Sequence, residues 1–404
     1  MIEKTLAELT LNITDGKHGD CRGKDNSGFY FISCKDVRDG QIHYEDARQI
    51  IEEDFWDTHK RTRLEPEDIL VTNSGTIGRM AFIRDVPLTY RTTFQKSVAI
   101  VKPDKSKIFP KYLYYQLQNC VDGFVNQSNG AAQKNLLLST MRAFKMNIHE
   151  DEDTQIRIAS ILSVYDDLIE NNQEQIKLLE EAAQRLYTEW FVDLRFPGHE
   201  TTPITDGIPE GWKKDRADAF FNMSIGKTPP RAEKQWFTDG GNGTPWISIS
   251  DMGNYGTYVF DTAEALTVEA ISKHNVKVVP SDTVLVSFKL TVGRVSITTT
   301  DTCTNEAIAH FLISNSMLRE YTYLYLKCFE YDSLGNTSAI SKAVNSKIIK
   351  GMPFVMPDNA TITQFHKIAK PIFDAIKDKQ SMNMKLAEAR DRLLPKLMNG
   401  EIEV

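Results

Sequence analysis

An internal repeat constrains the fold of this 404-residue chain more than any other feature of its sequence. Segments of the first half return in the second half about 210–215 residues later, in the same order. Three pairs show this: Phe31-Ile32-Ser33 with Trp246-Ile247-Ser248, Thr76-Ile77-Gly78-Arg79 with Thr291-Val292-Gly293-Arg294, and Lys111-Tyr112-Leu113-Tyr114 with Glu320-Tyr321-Thr322-Tyr323. We therefore interpret the chain as a duplicated unit.

Each half begins with about 150 residues in which short β-like runs alternate with glycine and proline. The runs at 69–71 and 283–286 are typical of strands, whereas 112–117 and 321–326 are typical of short helices packed on a sheet. A long amphipathic segment then completes each half. This pattern predicts an α+β fold with two mixed α/β domains and two long helices.

The long segments each carry a narrow apolar stripe whose residues recur every three or four positions. Asn172 interrupts the first stripe and Lys379 the second. Because a narrow stripe favours a partner helix, we predict that the two segments pair antiparallel as a coiled-coil spacer. The alternative is that each helix packs only on its own domain. The residues predicted to pack are Ile158, Ile161, Tyr165, Leu168, Ile176, Leu179, Leu186 and Trp190 in the first segment, and Ile368, Ile372, Ile376, Leu386, Leu393 and Leu397 in the second.

The predicted boundaries divide the chain into four parts. These are a first domain at 1–150, a central helix at 151–195, a second domain at 196–357 that opens with a linker rich in proline and glycine at 196–212, and a C-terminal helix at 358–404. A helix of about 36 residues spans ~54 Å, which suits a spacer. Two similar domains on such a pair would be related by a pseudo-two-fold axis.

Charge and composition restrict the class of protein. The net charge is −7, and residues 151–195 alone hold 11 acidic and 4 basic residues, so the acidity lies on one helix. The five cysteines are scattered without a C-x-x-C pair, which indicates reduced thiols and no metal site. No leader peptide and no run of 18 apolar residues is evident. We therefore expect a cytoplasmic protein that does not associate with a membrane.

The duplication itself indicates a class of ligand. Dimeric DNA readers place two modules about one helical turn apart, ~34–36 Å, because the duplex has two-fold axes. One chain with two similar domains could imitate such a dimer. Since the halves have diverged, the predicted target is bipartite and asymmetric, with unread base pairs between its halves.

The order of several short motifs carries a resemblance to a known family. They are Gln155-Ile156-Arg157-Ile158-Ala159-Ser160-Ile161-Leu162, Gly226-Lys227-Thr228-Pro229, Pro245-Trp246-Ile247-Ser248, and the ending Leu394-Pro395-Lys396-Leu397-Met398-Asn399-Gly400-Glu401-Ile402. Over essentially its whole length, the chain resembles the specificity subunit of type I restriction-modification systems. The first half departs from the pattern, because Asp15-Gly16-Lys17-His18-Gly19 stands where the family has a Gly-Thr-Pro start.

The resemblance implies target-recognition domains that bind double-stranded DNA. It also implies assembly with two methyltransferase (modification) subunits and, in the full complex, with restriction (translocase) subunits. S-adenosylmethionine, Mg²⁺ and ATP would then bind to those partners and not to this chain, which would be non-catalytic. In agreement, the sequence has neither an Asn-Pro-Pro-Tyr-type run nor a G-x-x-x-x-G-K-[ST] phosphate loop. The alternatives are a coiled-coil scaffold with protein-binding end domains and a self-contained modification enzyme, and the missing motifs argue against the latter.

Side chains that can pair with base edges or phosphates are the candidate DNA contacts. Lys134 aligns with Lys342, which suggests equivalent backbone contacts. Any one of these residues could instead be an ordinary solvated surface group, and Trp236 and Trp246 are interpreted as core. The candidates are Lys17, Arg91, Thr92, Gln95, Lys96, Gln133, Lys134 and Asn135 in the first domain, and Lys227, Arg231, Lys234, Lys289, Ser338 and Lys342 in the second.

Overall fold

The computed structural model describes residues 1–130, 134–334 and 344–404. The chain forms two compact units: residues 1–168 with 386–404, and residues 169–385. Each unit contains one half of the repeat together with a segment of both long helices. The fold is α+β, as predicted.

The first unit is built on a four-stranded antiparallel sheet in the order Thr10–Asp15, Val98–Pro103, Ile69–Thr72 and Met80–Phe82. Both faces of this sheet are covered, since Ile69 and Val71 pack in one apolar cluster and Leu70 in another. The smaller strand pairs are Ile2–Thr5 with Lys145–Ile148, Tyr30–Ile32 with Thr92–Phe94, and Val37–Arg38 with Gln41–Ile42. The helices of this domain are Glu52–Thr62, Pro110–Asn119, Val121–Asn126 and Leu138–Ala143.

The second unit repeats this plan with a larger mixed sheet. Its order is Asn222–Ile225, Ile308–Leu312, Val284–Ser287, Val295–Thr298 and Tyr258–Val259. A four-stranded sheet follows the order Phe237–Asp239, Glu264–Leu266, Thr244–Ile247 and Cys303–Thr304, and two strand pairs join Lys213–Arg216 with Pro353–Met356 and Ile204–Thr205 with Ile208–Pro209. The helices of this domain are Ala217–Phe220, Ile249–Tyr255, Val268–His274, Arg319–Cys328 and Ser346–Lys350.

The repeat is visible in the local hydrogen bonds of each unit. In the first, the backbone N–H of Ser33 donates to Asp36 Oδ2 over 2.8 Å. In the second, the N–H of Ser248 donates to Asp251 Oδ2 over the same distance. Each Asp therefore caps the turn that follows an equivalent strand, as expected of a duplicated unit.

The central helix (Glu152–Tyr187, continued by a π-helical turn at Thr188–Val192) runs antiparallel to the C-terminal helix (Asn359–Met398) within each unit. In the first unit, the Arg390 guanidinium donates a hydrogen bond to Asp166 Oδ1 over 2.6 Å. His149, which precedes the central helix, has its Nε2 atom 3.1 Å from the backbone O of Leu397. In the second unit, Asn172 meets Asn383, and Trp190 packs on Phe365 with ring centroids 5.8 Å apart.

Three of the predicted packing residues do not face the core. Ile161, Leu168 and Ile368 are 37%, 44% and 47% exposed, so they lie beside the buried line between the two helices and not on it. The buried line instead passes through neighbouring positions such as Leu162 and Ala369. With 3.6 residues per turn, steps of three and four are both compatible with one face, and a stripe drawn from sequence can drift by one position. The other predicted packing residues are buried or half-buried.

The residues that interrupt the two stripes lie together in the second unit. Asn172 Nδ2 donates to Asn383 Oδ1 over 2.9 Å, and Lys379 Nζ donates to Asn172 Oδ1 over 3.4 Å. Asn383 Nδ2 donates in turn to the backbone O of Ile169. A buried polar pair of this kind fixes the register of two helices, because any slip leaves its donors and acceptors unpaired.

We expect Asn172→Ala to lower the free energy of unfolding by about 1–3 kcal/mol, since it leaves the Asn383 amide and the Lys379 ammonium without a buried partner. The double variant Asn172→Leu, Asn383→Leu should recover much of this loss. Urea denaturation measures both. Asn171→Ala, at the exposed neighbouring position, is the control and should change stability by less than about 0.5 kcal/mol. An equal loss of stability in Asn172→Ala and Asn171→Ala would contradict a stabilising role of the Asn172–Asn383 pair.

Candidate nucleic-acid interface

Several loops of the first domain converge beside its main sheet. The N–H of Lys17 donates to Phe94 O over 2.8 Å, and the N–H of Lys96 donates to Lys17 O over 3.1 Å. The 134–136 segment joins them, because the N–H of Gly75 donates to Lys134 O over 3.2 Å. We call residues 16–18, 73–78, 95–97 and 134–136 the first loop cluster. It brings together the predicted contacts Lys17, Gln95, Lys96, Lys134 and Asn135.

The side chains of the first loop cluster offer mixed chemistry around an open cleft. Lys96 and Lys134 are exposed, while Lys17 Nζ lies 3.4 Å from Asp57 Oδ2. Asn135 and the exposed Leu137 line the same cleft as Lys96. Ammonium groups suit phosphates, whereas amide and apolar groups suit base edges, so this arrangement can serve both kinds of DNA contact.

The second domain repeats two of the backbone hydrogen bonds that hold the first loop cluster. The N–H of Lys227 donates to Thr304 O over 2.9 Å, as that of Lys17 does to Phe94 O. The N–H of Asn305 donates to Ile247 O over 3.0 Å, as that of Gln95 does to Ile32 O over 2.8 Å. We call residues 226–231, 288–293 and 305–307 the second loop cluster.

The correspondence adds residues that sequence reasoning missed. Asn305 is the counterpart of Gln95, and Glu306 is the counterpart of Lys96. Lys17 and Lys227 are 210 residues apart, and so are Gln95 and Asn305. The length of the repeat is therefore a sequence signal that predicts Asn305. Glu306 accepts a hydrogen bond from the Thr228 hydroxyl.

Each loop cluster contains a glycine at the equivalent position, packed directly against the backbone of a neighbouring segment. A Cβ added to Gly16 would overlap the backbone of Phe94 and Gln95, and one added to Gly226 would overlap the carbonyl oxygen of Asn305. The loop and the strand behind it can therefore approach only if no side chain stands between them.

A hydroxyl holds the turn that carries each Thr-Ile/Val-Gly-Arg sequence. Thr72 Oγ1 donates to Thr76 O over 2.6 Å and accepts from the N–H of Arg79 over 2.9 Å. Ser287 Oγ makes the same two bonds, to Thr291 O and from the N–H of Arg294 over 3.0 Å. Gly75, Gly78 and Gly293 lie in these turns at positive φ, where glycine is favoured because it has no Cβ.

The remaining candidate cations of the second domain differ in whether their charge already has a partner within the protein. Arg231 pairs with Glu264 over 2.8 Å, and its guanidinium carbon lies 4.3 Å from the ring centroid of Phe237. Lys289 lies 5.5 Å from the ring of Phe288, and Lys234 is exposed. Arg231 would therefore have to exchange an existing partner for DNA. Trp236 and Trp246 are buried, which confirms their assignment to the core.

Thr92 was wrongly included among the candidate contacts. Its side chain is buried, donates to Leu88 O over 2.6 Å and lies 3.0 Å from the Tyr44 hydroxyl. Arg91 precedes the strand Thr92–Phe94, whereas Gln95 follows it, so Arg91 lies at the end away from the first loop cluster. The candidates Gln133, Ser338 and Lys342 lie outside the described residues.

A buried histidine lies beneath the second loop cluster. His310 Nδ1 lies 2.7 Å from Ser224 Oγ, and its Nε2 lies 2.7 Å from Thr304 Oγ1. Burial lowers the pKa of His310 to about 4, because the imidazolium form would lose its hydration. The backbone O of Thr304 accepts from Lys227, so the ring supports the cluster through a single residue.

This histidine should make stability depend on pH. Its pKa is about 4 when folded and 6.5 when unfolded, so the unfolded chain binds more protons between these values and stability falls as the pH drops from 6.5 to 4. From pH 7 to pH 4.5 the loss from this group should be about 2 kcal/mol. Urea denaturation at both pH values tests this. His310→Gln, which cannot titrate, should lose about 2 kcal/mol less than the wild type, and equal losses would contradict the assignment.

Within the ranges 1–130, 134–334 and 344–404, no group of His, Cys, Asp and Glu residues is placed to hold a metal ion. In the same ranges no helix is long and apolar enough to cross a membrane.

Comparison with known proteins agrees with this geometry. The chain is similar to the HindI type I restriction enzyme specificity subunit of Haemophilus influenzae, with 24% identity over 370 residues, covering 75% of this chain and 80% of that protein. It is also similar to the MjaIX specificity subunit of Methanocaldococcus jannaschii, with 26% identity over 352 residues and coverage of 83% and 78%.

Structure comparison shows the same fold. The S subunit of a type I restriction-modification system from M. genitalium aligns with a TM-score of 0.53 and 14% identity, covering 98% of this chain and 96% of that one. A sequence model of the type I restriction modification DNA specificity domain matches residues 20–181 and again residues 209–386. These two matches include most of the chain and coincide with its two halves, and the protein therefore belongs to the type I restriction-modification DNA specificity family.

Proposed function

We propose that this chain is the DNA sequence-specificity subunit of a type I restriction-modification complex and reads an asymmetric, bipartite site. The observation that carries the proposal is the duplicated loop cluster. Several backbone hydrogen bonds recur in both copies, whereas the side chains that they position differ. A shared scaffold that carries different side chains is what two related but unlike half-sites require.

Equivalent positions of the two loop clusters carry side chains of different charge. Lys96 offers an ammonium, which suits a phosphate or the O6 and N7 acceptors of guanine. Its counterpart Glu306 offers a carboxylate, which accepts from the N4 amino group of cytosine and repels phosphate. Since opposite charges stand at equivalent places, the two clusters should prefer different base edges.

Assembly with methyltransferase subunits is supported by an apolar line on the central helix. Ile161, Val164 and Leu168 are exposed and recur at helical spacing within the first unit. An exposed apolar line of this kind suits a helix of a partner protein. We infer that two methyltransferase subunits dock on the long helices and that restriction subunits join the full complex.

The chemistry is assigned to those partners. We infer that methylation and cleavage occur on the modification and restriction subunits, which would bind S-adenosylmethionine, Mg²⁺ and ATP. In this proposal the present chain contributes no catalytic residue and determines only where the partners act. The support comes from membership of the specificity family.

One experiment tests the proposal directly. The chain is co-expressed with the neighbouring methyltransferase gene, and methylated adenines are mapped across the host genome. We expect a bipartite motif with a fixed gap, and none when the methyltransferase is expressed alone. Absence of any motif, together with no duplex binding at low salt, would contradict the proposal and favour a scaffold whose end domains bind proteins.

A further inference from the structure

Leu290 combines two features that a leucine rarely has. Its φ is +62°, in the left-handed region that suits glycine, and its side chain is 94% exposed. A branched side chain in this region strains the backbone, and an exposed isobutyl group gains nothing from burial. Neither feature stabilises the free protein.

The first domain shows what the turn requires. Gly75 follows Thr72 by three residues, as Leu290 follows Ser287, and Thr72 and Ser287 make the same two hydrogen bonds. The φ of Gly75 is +80°. The turn therefore needs a left-handed residue at this place, and glycine meets that need without strain. Leucine is not required for the fold of the second domain.

The place of Leu290 connects it to the proposed DNA surface. The N–H of Phe288 donates to Ala307 O over 2.9 Å, which fixes the turn beside Asn305 and Glu306. Lys289, the residue before Leu290, supplies a positive charge that suits a phosphate. Leu290 is thus an unburied apolar group held by a rigid turn within the second loop cluster.

We propose that Leu290 is a specificity-determining residue that makes an apolar contact with a base in the half-site read by the second domain. This inference rests on the proposed function. Two features of DNA offer such a surface: the C5-methyl group of thymine in the major groove, and a base face exposed when a side chain inserts between steps. Backbone strain retained at a functional surface is consistent with such a role. Because Gly75 has no side chain, the other half-site should lack the contact.

The test uses the full-length chain and a duplex that carries its mapped site. Leu290→Asn and Leu290→Gly both tolerate a left-handed backbone, so the melting temperature should stay the same or rise. Affinity measured by fluorescence anisotropy should fall about tenfold. Leu11→Asn, at a leucine that is 71% exposed on a strand of the first domain, is the matched control and should bind like the wild type.

Modified duplexes identify the contact. If Leu290 touches a thymine methyl group, changing one thymine of that half-site to uracil should weaken the wild type but not Leu290→Asn. If it inserts between bases, 2-aminopurine at the contacted step should brighten on binding only when Leu290 is present. Either pattern supports the inference.

Unchanged affinity and unchanged half-site preference in the Leu290 variants, with a wild type that binds its site, would overturn this inference alone. Weaker capture of the methyltransferase subunits with unchanged DNA binding would overturn it as well, in favour of a protein contact. Absence of any methylation motif from the co-expressed wild type, together with no duplex binding at low salt, would instead refute the proposed function.

Discussion

Gly226→Ala should abolish reading of the half-site recognised by the second domain. The new methyl group would overlap the carbonyl oxygen of Asn305 and the side chain and carbonyl of Thr304. The loop cannot simply shift, because the N–H of Gly226 donates to Ile308 O over 3.0 Å and that of Lys227 to Thr304 O over 2.9 Å. Relief of the overlap must separate the loop from the strand and so displace Lys227 and Asn305.

The overlap at Gly226 determines how much stability and how much DNA affinity the variant should lose. Forcing a methyl group into a closed backbone contact costs about 1–3 kcal/mol of stability. Misplacing several contacts that act together should lower affinity for the full site by at least about a hundredfold, since each good base contact contributes ~1–3 kcal/mol. Duplex anisotropy and calorimetric unfolding of the full-length chain measure the two effects.

Matched variants in the first domain make the test specific. Gly16→Ala should damage the other half-site, because a Cβ there would overlap the backbone of Phe94 and Gln95. Gly19→Ala is the control, since a Cβ at Gly19 meets no atom within 4 Å. Equal behaviour of all three variants would refute the claim that the paired glycines hold the loop clusters together.

The sequence was sufficient to predict the repeat and the helices, because both depend on pattern rather than on contacts. The register of the helices was not predictable in the same way. Asn172 and Lys379 look like defects when each stripe is considered alone, and only the packing of the second unit shows that one accepts a hydrogen bond from the other. Ile161 and Leu162 are both apolar neighbours, and the choice between them depends on the partner surface.

The candidate site was predictable in part for a related reason. Lys17, Lys96 and Asn135 are predictable as candidates because they are polar residues in loops, where DNA contacts concentrate. The prediction that Thr92 contacts DNA was wrong because its strand is buried on both faces, so the alternation of side chains along the strand does not indicate exposure. Asn305 and Glu306 became evident only when equivalent hydrogen bonds identified them as counterparts of Gln95 and Lys96.

Exchanging the second recognition domain should replace one half-site completely and leave the other unchanged. The exchanged segment, residues 196–357, begins and ends close to a single strand pair, because Lys213–Arg216 runs antiparallel to Pro353–Met356 with Lys213 opposite Met356. A segment whose two ends pair can be transplanted with little change in its surroundings. The donor domain should keep residues equivalent to Thr257 and Tyr321, which touch Glu180 and Tyr187 of the central helix.

The first domain is closed in the same way, since Ile2–Thr5 pairs with Lys145–Ile148. The reciprocal exchange of residues 1–150 should therefore change only the other half-site, and each chimaera is the control for the other. Both chimaeras keep the central and C-terminal helices, so the gap between the half-sites should stay constant, which methylome mapping can establish to the base pair. A chimaera that alters both half-sites, or the gap, would show that recognition is shared between the domains and would refute the modular account. A constant gap with one replaced half-site would assign sequence recognition to the domains and spacing to the helices.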